Sequence, residues 1–452
     1  MQRLVLPACF LVLLPLLSVE GADVPSKEPG PQARGQICEW KSKGGVAYQY
    51  YVPEGYDPAK GANLTVILHG SNLDRRWGFA NHKAGEFRPD DVVVCPDGPT
   101  PNGQGGFNFL KGDGHKLHTL LEELRRALTV KKVYLYGHSQ GSFFAFQYAG
   151  EYPADVAGVV GHASGVWTWT QLGPKGHGIA IVLMHGTQDP VVPYPQSAGG
   201  YEAFRAANYP FVRLRSLEGW NHWPAEHNGP VRHTSQQLAW CEGLTTDDPD
   251  RLAACLAVLT TVTNKAEHDW AGLYSLAKHV KESKIAPEEL KERAERAIVV
   301  VEELAAAQVA SMKLPAKLDL TGDDFVGQVP LFLRGFPTVP AREELAAKLE
   351  DILKDHRERG IKNLREYYQK AGKKPAEAFA AGIQAVREGF LHVECADRAF
   401  LDQMEAWRKD AQKLKLPKAA LKAFDETVPV FRKALDGGWR AFEQVCGKAG
   451  KP

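Results

Sequence analysis

Six short β-rich runs stand in the first half of the chain, at residues 65–68, 92–95, 133–136, 156–160, 179–184 and 212–217, and several of them are continuously apolar. Several are rich in β-branched side chains and show no polar alternation, which predicts strands of a parallel sheet buried on both faces. Between them, apolar positions recur at helical spacing over 116–128, 142–151, 197–207 and 234–240. Such alternation implies a doubly wound, mostly parallel α/β sheet, whose ligands gather beyond the carboxyl ends of the strands.

The pattern changes after Gly243. Of the 43 glycines, 31 lie at or before that position, and the remainder of the chain is rich in Ala, Glu, Lys and Leu at helical spacing. An all-α accessory domain is expected over 244–452, with helices over 251–263, 267–282, 341–359, 376–393, 397–414 and 418–435. Another should open at Pro287, where Glu288 and Glu289 face the positive end of a helix dipole. Residues 330–340, bounded by prolines, are expected to be an extended connector. No clean internal repeat is present.

The amino-terminal segment is of another kind. Arg3 precedes an apolar stretch over 4–17, followed by the small residues Val19, Gly21 and Ala22. Residues 1–22 therefore read as a signal peptide, which implies a secreted or periplasmic protein. Residues 23–37, rich in Pro, Gly and charge, are expected to be a flexible lead-in to a catalytic domain over 38–243. Losing the leader removes Cys9 and leaves Cys38, Cys95, Cys241, Cys255, Cys395 and Cys446. An oxidising compartment permits bridges among these. Proximity and helix-pair geometry suggest Cys241 with Cys255 and Cys395 with Cys446, while the connectivity stays open.

Composition narrows the partners. With 55 basic against 54 acidic residues there is no global field to gather nucleic acid or acidic lipid. No apolar run reaches the roughly 18 residues of a membrane span. There is no CxxC, and His115 and His118 lack an acidic third ligand at matching spacing, so they read as surface histidines and no metal is expected.

The candidate chemistry lies in loops that follow predicted strands. Gly137-His138-Ser139-Gln140-Gly141 stands between the strand 133–136 and a helix, the setting in which G-x-S-x-G forms a nucleophile elbow. Glycines are needed there because a sharp strand-to-helix turn brings backbones too close for side chains. Asp189 follows the strand 179–184 in His185-Gly186-Thr187-Gln188-Asp189-Pro190, and His222 follows the strand 212–217 in Gly219-Trp220-Asn221-His222-Trp223-Pro224. The order Ser, Asp, His at successive strand ends marks Ser139 as nucleophile, His222 as base and Asp189 as its orienting acid. Backbone amides of Gln140 and of Ser71, in His69-Gly70-Ser71-Asn72, are the expected oxyanion-hole donors. His69 is expected to pack beneath its loop. Trp167, Trp169, Trp220 and Trp223 are candidate substrate-binding aromatics, with core packing an equal alternative for the first two.

Taken together, His69-Gly70, the segment 137–141, His185-Gly186 with Asp189 and Pro193, and His222-Trp223-Pro224 resemble the α/β-hydrolase superfamily. Within it they are similar to the branches holding phospholipase/carboxylesterases and polyhydroxybutyrate-depolymerase or feruloyl-esterase-like enzymes. The depolymerase-like branch often has cysteine where Ser71 stands and alanine where Gln140 stands, so Gln140 is more like the carboxylesterase branch. The resemblance covers approximately 40–243 and implies hydrolysis of small or oligomeric carboxylic esters with no metal or organic cofactor. A peptidase or amidase on the same residues is the runner-up. A catalytically inert scaffold, with the helical domain meeting an unidentified partner, is the alternative from another class.

Overall fold

The computed structural model describes residues 24–223, 230–261 and 268–312, and parts of 332–429, chiefly 396–426. The chain divides into two compact units, Met1–Thr245 and Thr246–Pro452.

In chain order the first unit contains β1 (Ile37–Lys41), β2 (Ala47–Tyr51), β3 (Ala62–Leu68), α1 (Arg76–Asn81), β4 (Val92–Pro96), β5 (Thr100–Pro101), β6 (Phe107–Asn108) and α2 (Gly114–Ala127). There follow β7 (Val130–His138), α3 (Gln140–Glu151), β8 (Gly158–His162), β9 (Ala180–Gly186), α4 (Pro195–Ala206), β10 (Val212–Leu217) and α5 (Pro230–Thr245). Strands β5 and β6 form a small ribbon; the other eight make one sheet in the order β1-β2-β4-β3-β7-β8-β9-β10. Strand β2 is antiparallel to both neighbours, and the pairs from β4 to β10 are parallel. The six predicted strands are all present.

Helices on both faces explain why the central strands carry almost no polar side chains. Every residue of β3, β4, β8 and β9 is buried. On one face Leu64, Val66, Leu135, Val159, Ile181 and Leu183 pack with Leu117, Leu120, Leu121 and Leu124 of α2 and Phe144 and Tyr148 of α3. Burying each such side chain stabilises the sheet by about 1.5–3 kcal/mol. Helix α5 covers β8 and β9 from the other face.

Two expectations for this unit need correction. The lead-in is not flexible from residue 24 onward: Ser26 bridges to Glu39, Arg34 bridges to Val52, the Tyr50 hydroxyl donates to the carbonyls of Lys27 and Glu28, and Ala33 is fully buried. Its extended backbone supplies hydrogen bonds to the β1 edge, which a Pro- and Gly-rich composition does not reveal. Cys241 is a free thiol, so the pairing with Cys255 is not made; it is buried on α5 with Sγ 3.5 Å from the Ala180 carbonyl oxygen. Residues 1–22, Cys395 and Cys446 lie outside the described residues.

The second unit is helical where described. It contains α6 (Pro249–Thr260), α7 (Trp270–Glu282), α8 (Glu288–Ser311) and α9 (Ala396–Lys409). Asp248 and Asp269 cap α6 and α7 through side-chain oxygens, and α8 starts directly after Pro287. Leu290, Ala294, Ala297, Ile298, Val301, Ala305 and Val309 make the buried stripe of α8, which packs on α7. The connector expected to be extended instead holds a helical turn, with the Phe336 amide 2.8 Å from the Phe332 carbonyl oxygen and both rings buried. Two aromatics four residues apart make that turn a packing element. Most of 341–359 and 376–393, and the end of 418–435, lie outside the described residues.

Candidate active site

Sheet register decides which loops meet. Leu68 of β3 pairs with Gly137 of β7, His138 with His162 of β8, and His162 with Met184 of β9. The residues that follow, His69, Ser139 and His185, therefore emerge along one carboxyl edge of the parallel sheet.

Ser139 occupies the turn from β7 to α3 with φ 51° and ψ −121°, a left-handed backbone that costs a non-glycine residue of order 1–3 kcal/mol. Its amide donates to the His162 carbonyl (2.9 Å), and its carbonyl accepts from the amides of Ser142 and Phe143. A β-carbon on Gly137 would stand 2.5 Å from the Ser142 amide, and one on Gly141 would collide with the carbonyls of Leu68 and His69. The glycines are thus required by close approach of β3, β7 and α3. The Ser139 side chain is half-buried at the start of α3.

Asp189 and His222 are joined. His222 Nδ1 lies 2.7 Å from Asp189 Oδ2, while Asp189 Oδ1 accepts from the amides of Val191 and Val192, both at 2.8 Å. A second histidine shares the carboxylate, with His185 Nε2 3.1 Å from Oδ2. Burial alone would raise the Asp189 pKa, but hydrogen bonds from His185, His222 and the Val192 amide outweigh it and hold the carboxyl well below its usual range. With a carboxylate on Nδ1, the His222 ring donates there and leaves Nε2 as a lone-pair acceptor.

Ser139 reaches this pair through its neighbour. His138 Nε2 lies 2.9 Å from the His222 carbonyl oxygen and so donates to it, with the rings 5.0 Å apart. Trp77 stacks on the other side of His138 at 5.2 Å. Burial, with His222 nearby, lowers the His138 pKa to about 3 and keeps the ring neutral. Among the described residues the Ser139 hydroxyl has no hydrogen bond to His222.

The loop after β3 is held from beneath. Gly98 donates its amide to His69 Nε2 (2.9 Å), so the ring proton sits on Nδ1, which donates to the Gly70 carbonyl (2.7 Å). His69 is buried against Phe109, and burial lowers its pKa to about 4. It packs under the loop as expected. Because carbonyl and amide of one trans peptide point in opposite directions, fixing the Gly70 carbonyl on His69 turns the Ser71 amide the other way. Ser71 itself is exposed, and its neighbour Asn72 donates to the Phe107 carbonyl. Gln140 is the first residue of α3, so its amide has no intrahelical acceptor; its side-chain Oε1 accepts from the Phe109 amide at 3.1 Å.

The four tryptophans separate. Trp167 stacks between Phe143 (5.6 Å) and Trp169 (5.2 Å), and Trp169 is 42% exposed with Lys111 Nζ 5.5 Å from its ring centre. Trp223, also 42% exposed, meets the His222 ring edge-on at 5.5 Å. Trp220 instead turns toward His233 of α5. Reading the sequence for site residues missed Trp77, Phe143 and the partners of His138 and His185. A histidine inside the elbow and another four residues before Asp189 were the available signals. Among the described residues no group of three or more His, Cys, Asp or Glu side chains could hold a metal.

The sequence model of the α/β-hydrolase fold matches residues 99–179. With the strand order and elbow above, that decides the architecture. The first unit has the α/β-hydrolase fold. The chain is similar to a thermostable esterase at 16% identity, covering 48% of this chain and 61% of that one, with a TM-score of 0.35. It is similar to the Bacillus cereus carboxylesterase (17% identity, 47% of this chain, 97% of that one, TM-score 0.36). A feruloyl esterase module from Clostridium thermocellum complexed with sinapinate is a further likeness (15%, 44% and 89%, TM-score 0.35). No curated protein matches.

Proposed function

We propose that the protein is an exported serine hydrolase that cleaves carboxylic esters through an acyl-enzyme on Ser139. The observation that carries this reading is the Asp189–His222 hydrogen bond of 2.7 Å at the same sheet edge as a serine held at positive φ. His222 Nε2 takes the Ser139 proton as Oγ attacks the ester carbonyl, then returns it to the departing alkoxide. A water follows the same route in reverse, forming the carboxylic acid and restoring the hydroxyl. Asp189 holds the Nδ1–H tautomer and stabilises the imidazolium. Hydrogen bonds in such relays often tighten only when substrate binds, which accords with the absence, among the described residues, of a hydrogen bond from the Ser139 hydroxyl to His222.

The amides of Ser71 and Gln140 are assigned to the oxyanion. Neither has an acceptor among the described residues, and the Gln140 amide adds the positive end of α3. The Phe143–Trp167–Trp169 stack and Trp223 are assigned to the substrate's bulky group. Export rests on the leader-like residues 1–22.

The test is a fluorophosphonate probe followed by a substrate panel. The probe should label Ser139 and fail on Ser139→Ala, and that variant should lose at least about 10³-fold in turnover of short p-nitrophenyl esters. Among acetyl, butyryl, feruloyl and 3-hydroxybutyryl esters and a peptide amide, an ester should be turned over fastest. Undiminished ester turnover by Ser139→Ala would overturn the assignment.

A further inference from the structure

We propose that His185 is a buried imidazolium, a positioning residue that holds the Asp189 carboxylate and shares its charge with His222; the catalytic consequence rests on the triad reading above. His185 is the penultimate residue of β9 and is wholly buried. Its Nδ1 lies 2.6 Å from Ser197 Oγ, and the Ser197 hydroxyl donates to the Ser164 carbonyl. A hydroxyl has one proton. Committed to Ser164, Ser197 can only accept from His185, so Nδ1 carries a hydrogen.

The other nitrogen is equally constrained. Nε2 lies 2.8 Å from the Val192 carbonyl oxygen and 3.1 Å from Asp189 Oδ2. Neither a carbonyl nor an ionised carboxylate can donate, so Nε2 carries a hydrogen as well. A ring protonated at both nitrogens is a cation, and the burial that would otherwise penalise it is answered by the adjacent carboxylate. The titratable groups around it are Asp189, His222, the Tyr194 ring from the start of α4 and His162 from β8. His162 is itself kept neutral by burial.

This arrangement alters the relay. The Asp189 charge is already countered before His222 accepts a proton, so a second imidazolium is less favoured on the same carboxylate. His185→Gln removes the cation while keeping an N–H that can reach Val192 and Asp189. Ser197→Ala removes the Nδ1 acceptor while keeping the histidine.

The experiment has two arms on the full chain. In histidine-labelled protein, long-range ¹H–¹⁵N spectra at pH 7 should place both His185 ring nitrogens in the protonated range, the signal being assigned by its loss in His185→Gln. Either nitrogen in the unprotonated range would overturn the proposal. In the second arm, the acid limb of kcat/KM for a short p-nitrophenyl ester should move up by about one pH unit in both variants. A lower kcat with an unmoved limb in Ser197→Ala means that His185 acts only by packing and likewise overturns it. Ester turnover surviving in Ser139→Ala would instead remove the triad reading, while the ring-nitrogen shifts would still decide the charge of His185.

Discussion

A carboxylate that receives four hydrogen-bond donors has no freedom to serve as a proton acceptor, so in the proposed relay Asp189 holds its partner's orientation and charge. Its oxygens take two backbone amides and two imidazole nitrogens. Asp189→Asn keeps the shape but presents an amide group that can donate toward His222 Nδ1 and stabilise the wrong tautomer. Loss of a relay carboxylate in this way lowers kcat by about 10⁴-fold in the best-studied serine hydrolases. The same fall is expected here, measured on the fastest ester of the panel. Gln140→Ala should behave differently, because the donor assigned to the oxyanion is its backbone amide; only the side-chain bond to Phe109 is lost. Its kcat should fall less than the roughly 10²-fold or more that accompanies removal of a donor. At this scale the Asp189–His222 hydrogen bond was foreshadowed in the sequence, since each of the two residues follows a predicted strand. The state of His138 and His185 was not legible. It depends on Ser164, Ser197, Val192 and the His222 carbonyl, brought together only by folding.

At the scale of elements, the elbow is a three-way contact of β3, β7 and α3, and Gly141 is where it is tightest. A β-carbon there would collide with the carbonyls of Leu68 and His69, which begin the loop carrying Ser71. Gly141→Ala should therefore lower both stability and rate. A loss of about 1–3 kcal/mol for overpacking and a fall of about 10²-fold or more in kcat are expected, measured by thermal unfolding and ester turnover. A variant with unchanged melting and unchanged kcat would show that the contact has slack. The central strands were readable because burial on both faces leaves continuous apolar runs. Strands β1 and β2 were not, because their sequences, ICEWK and AYQYY, mix charge and amides with large aromatics. Glu39 and Gln49 are hydrogen-bonded to each other across that pair, and Arg75 reaches both Glu39 and Asp97. Polar side chains that satisfy one another at a sheet edge look, along the sequence, like a loop.

The whole molecule carries an acid liability as a consequence of where its histidines lie. Burial lowers His69 and His82 to about 4 and His138 to about 3, and it takes His162 well below 6.5. In the unfolded chain each titrates near 6.5. Because the folded values are depressed, the unfolded state binds more protons between those limits. Stability is fully present above about pH 6.5 and is lost as pH falls toward the folded values. Each group contributes a slope that approaches about 1.4 kcal/mol per pH unit only well below pH 6.5 and averages about 0.8 between pH 7 and pH 5.5, so His69, His82 and His138 together remove on the order of 4 kcal/mol over that range. Against a typical net stability of about 5–15 kcal/mol, that is a large share. Asp189 adds its own loss only at more acid pH, since its folded value is depressed below the carboxylate range. Denaturant unfolding at pH 7, 6.25 and 5.5 should show this slope. His82→Phe, in a pocket of Trp77, Phe87 and Tyr136, should flatten it by about 0.8 kcal/mol per pH unit over this range, whatever its effect on stability at pH 7. An unchanged slope would mean that His82 takes up its proton without unfolding.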